Sequence, residues 1–369
     1  EEQSRFVRFV ERQISTEDRQ IRLGQIEGAL SSDVRISSIT IADRRGVWLT
    51  IEGAELVWSR LALLRGRLSI DSLKADSITV TRRPLPAETD EPLEEGAEEF
   101  ALPELPVAVL IDAFDIGRVD LAEDVIGEAA ALQVAGSLRL QSGELDANLD
   151  VQRLDEPGNL TLDASYSEAS RQLAIDFTVS EPEDGVIANA LNIDGRPAIL
   201  FEIKGEGELS NYRADISLTA DEETLLSGIT RIVGVDDGLR FIADLQGNVE
   251  PLVADLYDPF VQGGTEIAVD ATRASDGTIT ITEGGLESGV ASLAFSGAFA
   301  PDGIPTRLSV NGSLVRSDNQ PVALPGGGGD ATIRRADINV SLGEAADGAF
   351  SAKIALTDLD APFLAAPNA

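Results

Sequence analysis

Paired carboxylates are the residues of this 369-residue chain with the clearest potential for chemistry. Adjacent acids occur at positions 94–95, 98–99, 222–223 and 236–237. Two neighbouring carboxylates can serve as general acid and base, as in glycosidases, or can bind calcium. In a chain with 64 Asp and Glu residues such pairs arise by chance, and none lies in a glycosidase-like or D-x-[DN]-x-[DN]-G context. We therefore predict no catalytic residue and no metal site.

Cysteine and histidine are both absent from the sequence. Their absence excludes disulfides, thiol catalysis, Ser-His-Asp triads and metal or haem sites built on these side chains. It also removes the side chain that most often carries protons near neutral pH. The sequence therefore predicts a protein that is not an enzyme and that has no cofactor.

Charge is unevenly distributed along the chain, whose net charge is −35. Residues 1–83 carry 14 Arg and Lys against 12 Asp and Glu, whereas residues 84–369 carry 15 against 52. The acidic part should repel nucleic acid and anionic membranes, so we predict no nucleic-acid partner. Only the N-terminal part suits a position beside anionic lipid headgroups. The acidity is equally explained as a means of keeping a large sheet soluble.

Apolar and polar residues alternate at every second position through most of the chain. Clear examples are Leu160-Thr161-Leu162, the run from Leu173 to Val179, and the run from Ile338 to Leu342. Successive side chains of a strand point to opposite faces, so this pattern predicts strands with one apolar and one polar face. Because about 24–28 such runs are present, and open sheets rarely exceed about 10 strands without curling or splitting, the sheet must curl.

The predicted fold class is therefore mostly all-β. We expect a long, curled, folded-over antiparallel or mixed β-sheet that forms a U-shaped apolar groove (a β-taco), with a short N-terminal helix and a few helical turns. Phe6, Val10 and Ile14 are spaced by four residues and predict the helix over 4–15. Helical turns are predicted over 60–66, within 221–235 and over 249–262.

Four segments follow from changes in composition. The predicted domains are a helix at 1–19 beside a missing membrane anchor, the beginning of the β-groove at 20–83, an acidic Pro-rich loop at 84–106, and the continuing β-groove body at 107–369. Because the chain lacks methionine and any long apolar run, we expect it to be a segment of a longer protein whose anchor preceded it.

The apolar face itself has two interpretations. It forms the cores of conventional sandwiches, in which two sheets cover each other, or it lines a continuous trough for acyl chains. For the trough, the predicted lining residues are the apolar members of the alternating runs: Leu49, Ile51, Leu56, Leu138, Leu140, Leu160, Leu162, Ile175, Phe177, Val179, Phe201, Ile203, Phe241, Ile267, Val269, Ile279, Ile281, Leu293, Phe295, Leu308, Val310, Ile338 and Val340.

The N-terminal part resembles the opening of the TamB family of AsmA-like proteins. The resemblance is carried by an ordered series of short motifs and covers most of residues 20–235. The motifs are IEGAL at 26–30, VRISSITIAD at 34–43, GVWLTI at 46–51, AELVW at 54–58 and LSIDSLKADSITV at 68–80.

The resemblance implies an envelope protein of a Gram-negative bacterium, anchored in the inner membrane and crossing the periplasm. It implies an apolar β-groove tied to phospholipid movement toward the outer membrane, and to outer-membrane protein assembly with a TamA-like barrel partner. The family has no catalytic residues. The N-terminal anchor and the C-terminal region that meets the barrel are expected to lie outside this chain.

The functional prediction is a bridge-like periplasmic conduit that moves phospholipids between the inner and outer membranes, with acyl chains held in the groove. An alternative is a scaffold or chaperone whose exposed strand edges pair with nascent outer-membrane strands by β-augmentation. A third possibility is an adhesin-like array of sandwich domains with closed cores.

Overall fold

The chain forms two compact units of β-structure. The computed structural model describes residues 11, 15–16, 19–28, 31–63, 65–85, 108–190, 193, 195–235, 237–253, 257–324, 331–343 and 350–361. Unit 1 comprises residues 1–94 and 101–182, and unit 2 comprises residues 95–100 and 183–369. The predicted all-β class is confirmed, since strands dominate the described residues of both units.

In its described residues, unit 1 is a mixed sheet with two short helices. Its strands are β1 (Gln20–Leu23), β2 (Ile26–Glu27), β3 (Asp33–Asp43), β4 (Gly46–Trp58), β5 (Arg67–Ala75), β6 (Ser77–Val80), β7 (Ala108–Leu121), β8 (Ala130–Gln141), β9 (Glu144–Arg153), β10 (Asn159–Ser167) and β11 (Gln172–Glu181). Helix α1 (Arg60–Leu63) follows β4 and helix α2 (Glu123–Ile126) follows β7.

Neighbouring strands of unit 1 are mostly consecutive in sequence. Strands β1 and β2 both pair with one edge of β3, while β4 pairs with the other edge. Strands β5 and β6 lie end to end between β4 and β7, antiparallel to β4 and parallel to β7. From β7 to β11 every pairing is antiparallel. The parallel step explains why this sheet is mixed.

Irregularities in adjacent strands of unit 1 lie side by side across the sheet. Gly53 interrupts β4 with a φ of 61°, and a Cβ there would overlap the Asp76 carboxylate, which lies between β5 and β6. A Cβ on Gly117 of β7 would lie 3.3 Å from the Asp76 carbonyl oxygen. Bulges bend a strand and shift its alternation by one residue. As a result, Ile51 and Leu56 face the same side although their spacing in a regular strand would separate them.

The part of unit 2 that the structure describes is an antiparallel meander with three short helical segments. Its strands are β12 (Ile199–Glu208), β13 (Asn211–Ala220), β14 (Glu223–Val235), β15 (Gly238–Gly247), β16 (Thr265–Ala274), β17 (Ile279–Ser288), β18 (Ala291–Phe299), β19 (Pro305–Leu314), β20 (Val322–Ala323), β21 (Thr332–Ile333), β22 (Arg335–Leu342) and β23 (Phe350–Thr357). The helical segments are α3 (Val186–Ala190), the 3₁₀ turn η1 (Glu250–Leu252) and α4 (Asp258–Val261).

Strands β12 to β19 pair in sequence order, and β19 then pairs with β22, which pairs with β23. The intervening β20 and β21 form a separate two-stranded sheet. Because all long strands run alternately up and down, their hairpin turns fall at two ends. We call the end with the β12–β13, β14–β15, β16–β17 and β18–β19 turns the open end, and the opposite end the closed end.

Buried clusters cover the closed end of unit 2. One cluster joins α3 and the strand ends of β12 to β14 through Ala188, Ile193, Ile199, Leu218, Ala220 and Leu225, with Leu252 of η1 packed against it. The other joins α4, β20 and β21 to β18, β19 and β22 through Val290, Ala291, Leu314, Val322, Ile333 and Ala336. Within these clusters Ile193 is 2% exposed and Ile333 is 0% exposed. The short helices and the small sheet thus pack on one end of the long strands.

The helical predictions have mixed outcomes. The predicted turn over 60–66 is confirmed as α1, followed by Gly66 with a φ of 70°. The prediction over 249–262 is confirmed only as the two separate segments η1 and α4. The helical turn predicted within 221–235 is wrong, because that segment is mostly strand β14. A register shift between Leu218 and Thr219 accommodates the Leu225-Leu226 doublet, which hides the alternation in the sequence.

Some predictions fall outside the described residues. The predicted helix over 4–15 lies outside the described residues except for positions 11 and 15. Most of the predicted acidic loop at 84–106 also lies outside them. The domain boundaries at 19, 83 and 106 remain predictions.

Candidate functional site formed by apolar sheet faces

Cross-strand register places the apolar side chains of unit 1 on one face of its sheet. Residues directly opposite each other in paired strands project to the same side. From β4 to β11 one row of such residues is Leu56, Leu73, Phe114, Gly136, Leu149, Leu162 and Phe177. The parallel row beside it is Trp58, Ile70, Ile111, Leu138, Ala147, Ala164 and Ile175. We call this surface the apolar face of unit 1.

The opposite face of unit 1 is polar. Arg139 of β8 lies opposite Asp146 of β9, and the Asn148 amide donates to the Asp163 carboxylate at 2.7 Å. Next to it, Asp176 of β11 lies opposite Asp163. Water therefore solvates one side of this sheet, whereas the other side offers only hydrocarbon over most of its width.

Unit 2 has an equivalent apolar face. Its central row runs from β12 to β23 through Ile203, Ile216, Gly228, Leu245, Ile267, Leu286, Leu293, Gly312, Ile338 and Ile354. A row nearer the open end runs from β13 to β23 through Tyr212, Ile232, Phe241, Ala271, Ile281, Gly297, Leu308, Leu342 and Phe350. Each row is apolar from strand to strand.

The apolar face of unit 2 combines buried and exposed parts, and its exposed large side chains lie on the open half and along the edge strand β23. The clusters at the closed end are almost fully buried. Toward the open end Phe241 is 40% exposed, Ile279 is 38% exposed and Phe350 is 67% exposed. Large apolar side chains with this much exposure along a continuous surface are typical of a binding surface. The face is thus covered by the buried clusters at the closed end and accessible at these exposed side chains.

The structure places all the predicted lining residues on these two faces. Those from Leu49 to Val179 lie on the apolar face of unit 1, and those from Phe201 to Val340 lie on that of unit 2. Their role as a lipid lining remains a prediction. Sequence reasoning missed several members of the same rows, namely Leu73, Phe114, Leu149, Leu245 and Leu286, although alternation with neighbouring positions marks most of them.

Glycines on the apolar faces lie beneath large side chains of the neighbouring strand. Gly284 is directly opposite Phe295, and a Cβ on Gly284 would overlap the Phe295 ring. A Cβ on Gly312 or Gly136 would first overlap a backbone oxygen of the adjacent strand, that of Ser292 or Asn148, and would then lie 2.8 Å from Leu293 Cδ2 or 2.6 Å from Phe114 Cζ. Since the large side chains occupy the space above the glycines, they lie along the sheet instead of projecting from it. The glycines thereby allow these side chains to lie flat against the sheet, so that they protrude less from the apolar face.

Arg153 is a charged residue at the margin of the apolar face of unit 1, opposite Leu132. Its side chain is only 6% exposed. The guanidinium donates to Glu128 at 3.0 Å and to Asp155 at 2.9 Å, and Glu156 lies 3.8 Å away. Hydrogen bonding to Arg153 lowers the pKa of Asp155 to about 2. Burial of this charge is therefore compensated by several acceptors.

Replacing Arg153 with Gln should destabilise unit 1 by about 2 kcal/mol at neutral pH, because three carboxylates lose a buried partner. Since Asp155 has a lowered pKa when folded, its contribution is present above about pH 4 and is lost as the pH falls toward 2. Urea unfolding of both proteins at pH 7 and pH 3 should show the difference shrinking with acid. The exposed Arg35–Glu55 pair supplies the control, since Arg35→Gln should change little. An equal effect of Arg153→Gln at both pH values would contradict this account.

The paired carboxylates singled out in the sequence do not form a common site where the structure describes them. Glu222 and Glu223 are exposed at the start of β14, and Asp237 accepts a hydrogen bond from Ser275. The pairs at 94–95 and 98–99, together with Asp236, lie outside the described residues. No group of three or more acidic side chains in the described segments is arranged to hold a metal ion. Likewise, none of the described helices is long and apolar enough to cross a bilayer.

An all-β chain with extended apolar sheet faces belongs structurally with proteins that present a hydrocarbon surface to a partner or ligand. Comparison with known families identifies the relevant group. The model of the YdbH-like family, described as intermembrane phospholipid transport protein YdbH, matches residues 7–362. The chain belongs to this YdbH-like family, and a role in lipid transport follows from that membership. The match supports the AsmA-like class broadly and does not single out TamB, which the N-terminal motifs resemble.

The chain also has a low sequence similarity to one curated protein of another kind. The chain is 25% identical over 218 residues to translation initiation factor IF-2 of Oleidesulfovibrio alaskensis, which covers 54% of this chain and 22% of that protein. The chain thus spans about a fifth of the length of this relative, and identity at this level does not establish a shared family. No solved structure matches the chain significantly.

Proposed function

We propose that phospholipid acyl chains lie against the apolar faces of units 1 and 2 and slide along them while the headgroups remain in water. The observation that carries this proposal is the register, which aligns apolar side chains in rows across every long strand. An acyl chain that moves from one strand to the next along such a row exchanges contact with one apolar side chain for contact with another. The protein then acts as a passive conduit between the inner and outer membranes.

The energetic argument rests on the cost of exposing hydrocarbon to water. Transfer of an acyl chain into water costs about 0.8 kcal/mol per CH₂, or about 12 kcal/mol for a 16-carbon chain. An apolar protein surface that stays in contact with the acyl chain along its path removes most of this cost at each step. No side chain needs to react, because the lipid is moved and not modified. Leu, Ile, Val and Phe are then largely interchangeable along the rows.

Location and partners are further parts of the proposal. Membership of an intermembrane transport family supports a place in the cell envelope. We propose the periplasm of a Gram-negative bacterium, with the inner membrane and a TamA-like outer-membrane barrel as partners. The alternative role as a strand-pairing chaperone is not favoured by the family match.

The direct test is to purify the chain from Gram-negative membranes in mild detergent and to identify bound lipid by mass spectrometry. The proposal predicts recovery of phospholipids with two acyl chains, above the amount carried by a soluble control protein of similar charge. Photocrosslinks from edge-strand positions to barrel precursors, without bound lipid, would support the chaperone instead.

A further inference from the structure

Arg273 is the one charged side chain that the described strand register places on the open half of the apolar face of unit 2. It is near the end of β16, opposite Leu239 of β15 and Ile279 of β17. The remaining members of this terminal row, Gly234, Phe299 and Pro305, are uncharged. Placing a guanidinium in an otherwise apolar row costs free energy unless a partner or water accepts its hydrogen bonds.

Arg273 itself is exposed and forms no ion pair with any residue in the described part of the chain. The nearby acids are engaged elsewhere. Asp270 pairs with Arg240, Asp237 accepts a hydrogen bond from Ser275, and Asp276 accepts one from the Thr278 amide at 2.8 Å. Arg273 therefore keeps its donors available at the edge of a hydrocarbon surface.

The surroundings of Arg273 offer both apolar contact and hydrogen-bond donors to a ligand. Ile279, which is 38% exposed, is directly opposite Arg273, and Phe241, which is 40% exposed, lies in the adjacent row of the same face opposite Ala271. The guanidinium offers a planar set of donors that matches phosphate oxygens in bidentate fashion. A ligand that satisfies both carries an anionic group with two oxygens attached to hydrocarbon, and the phosphate of the proposed phospholipid cargo is such a group.

We propose that Arg273 binds the phosphate of a glycerophospholipid whose acyl chains lie on the apolar face of unit 2. This inference rests on the proposed function and adds a headgroup site to it. In a chain with a net charge of −35, a single unpaired arginine on this face is a local position where an anionic group is attracted and not repelled. The site selects phospholipids over uncharged diacylglycerols with the same tails.

The test compares two lipids that differ only in the phosphate. Binding of dioleoyl phosphatidate and of dioleoylglycerol, each with a fluorescent acyl label, is measured with the full chain in detergent. Wild-type protein should bind the phosphatidate more tightly. Arg273→Gln should weaken phosphatidate binding about tenfold and leave diacylglycerol binding unchanged. Arg273→Lys should recover part of the affinity, because it restores the charge without the bidentate geometry.

Arg307 provides the matched control. It lies on β19 opposite Ala298, on the polar side of the sheet, and is likewise exposed without an ion pair to the residues described. Arg307→Gln should leave both affinities unchanged. Equal wild-type affinity for the two lipids, or an equal loss of both in Arg273→Gln, would overturn the headgroup site alone. Failure of wild-type protein to bind either lipid would overturn the proposed function together with it.

Discussion

Replacing Phe177 with Asp is expected to abolish phospholipid binding by unit 1 while leaving the fold in place. Phe177 lies in the central row of the apolar face, opposite Leu162 of β10. A carboxylate there would have to lose its hydration each time an acyl chain passed, and burial of an unpaired charge costs several kcal/mol. Because unit 2 keeps its own apolar face, we expect the phospholipid recovered with the purified protein to fall to the amount that unit 2 binds, and lipid transfer between donor and acceptor vesicles to fall as well.

Thr178→Asp is the matched control for this experiment. Thr178 is adjacent in β11 but lies opposite Thr161, on the polar face. The Thr178→Asp substitution adds the same charge to the same strand but on the polar face. It should therefore leave lipid recovery near the wild-type amount. Circular dichroism and the urea midpoint establish that both variants are folded. Normal lipid recovery with a folded Phe177→Asp protein would argue strongly against acyl chains on this face.

Replacing Gly284 with Ala is expected to obstruct the apolar face of unit 2 by lifting one ring. Gly284 has no positive φ, so alanine is compatible with its backbone, and the close contacts of an added Cβ are all with the Phe295 ring. The ring must then leave the sheet surface and project outward. Overpacking of this kind costs about 1–3 kcal/mol, and the displaced ring should also lower phospholipid recovery severalfold.

Gly285→Ala and the double variant Gly284→Ala/Phe295→Ala separate the two effects. Gly285 is next in sequence, faces the other side and has nothing within 4 Å of an added Cβ, so its substitution should be silent. The double variant removes the ring that the new methyl group displaces, so lipid recovery should return toward the wild-type value. If Gly284→Ala alone had no effect on lipid recovery, the glycine would not control the surface of this face.

Much of the fold follows directly from alternation in the sequence. Strands β10 and β11 coincide with the runs around Leu162 and Phe177, where no bulge interrupts the two-residue period. The apolar faces could be anticipated for the same reason. Alternation is a local property, and it survives wherever the strand is regular.

Other features depend on partners that the sequence does not display. Leu56 and Ile51 share a face only because Gly53 adopts a positive φ beside Asp76, a relation between two separate strands. Strand β14 was obscured by the Leu225-Leu226 doublet, since only the register with β13 shows that one of them is extra. The contacts of Phe295 with Gly284 and the isolation of Arg273 likewise become visible only once strand pairing is known.

The most direct test of the central claim is site-specific photocrosslinking in Gram-negative cells that express the chain. A photoreactive residue is introduced at one of two adjacent positions in β22: Val340, in register with Val310 on the apolar face, or Asn339, in register with Asn311 on the polar face. The account predicts phospholipid adducts by mass spectrometry from position 340 and not from position 339. Adducts of equal yield from both positions, or from neither while the protein is folded, would contradict it.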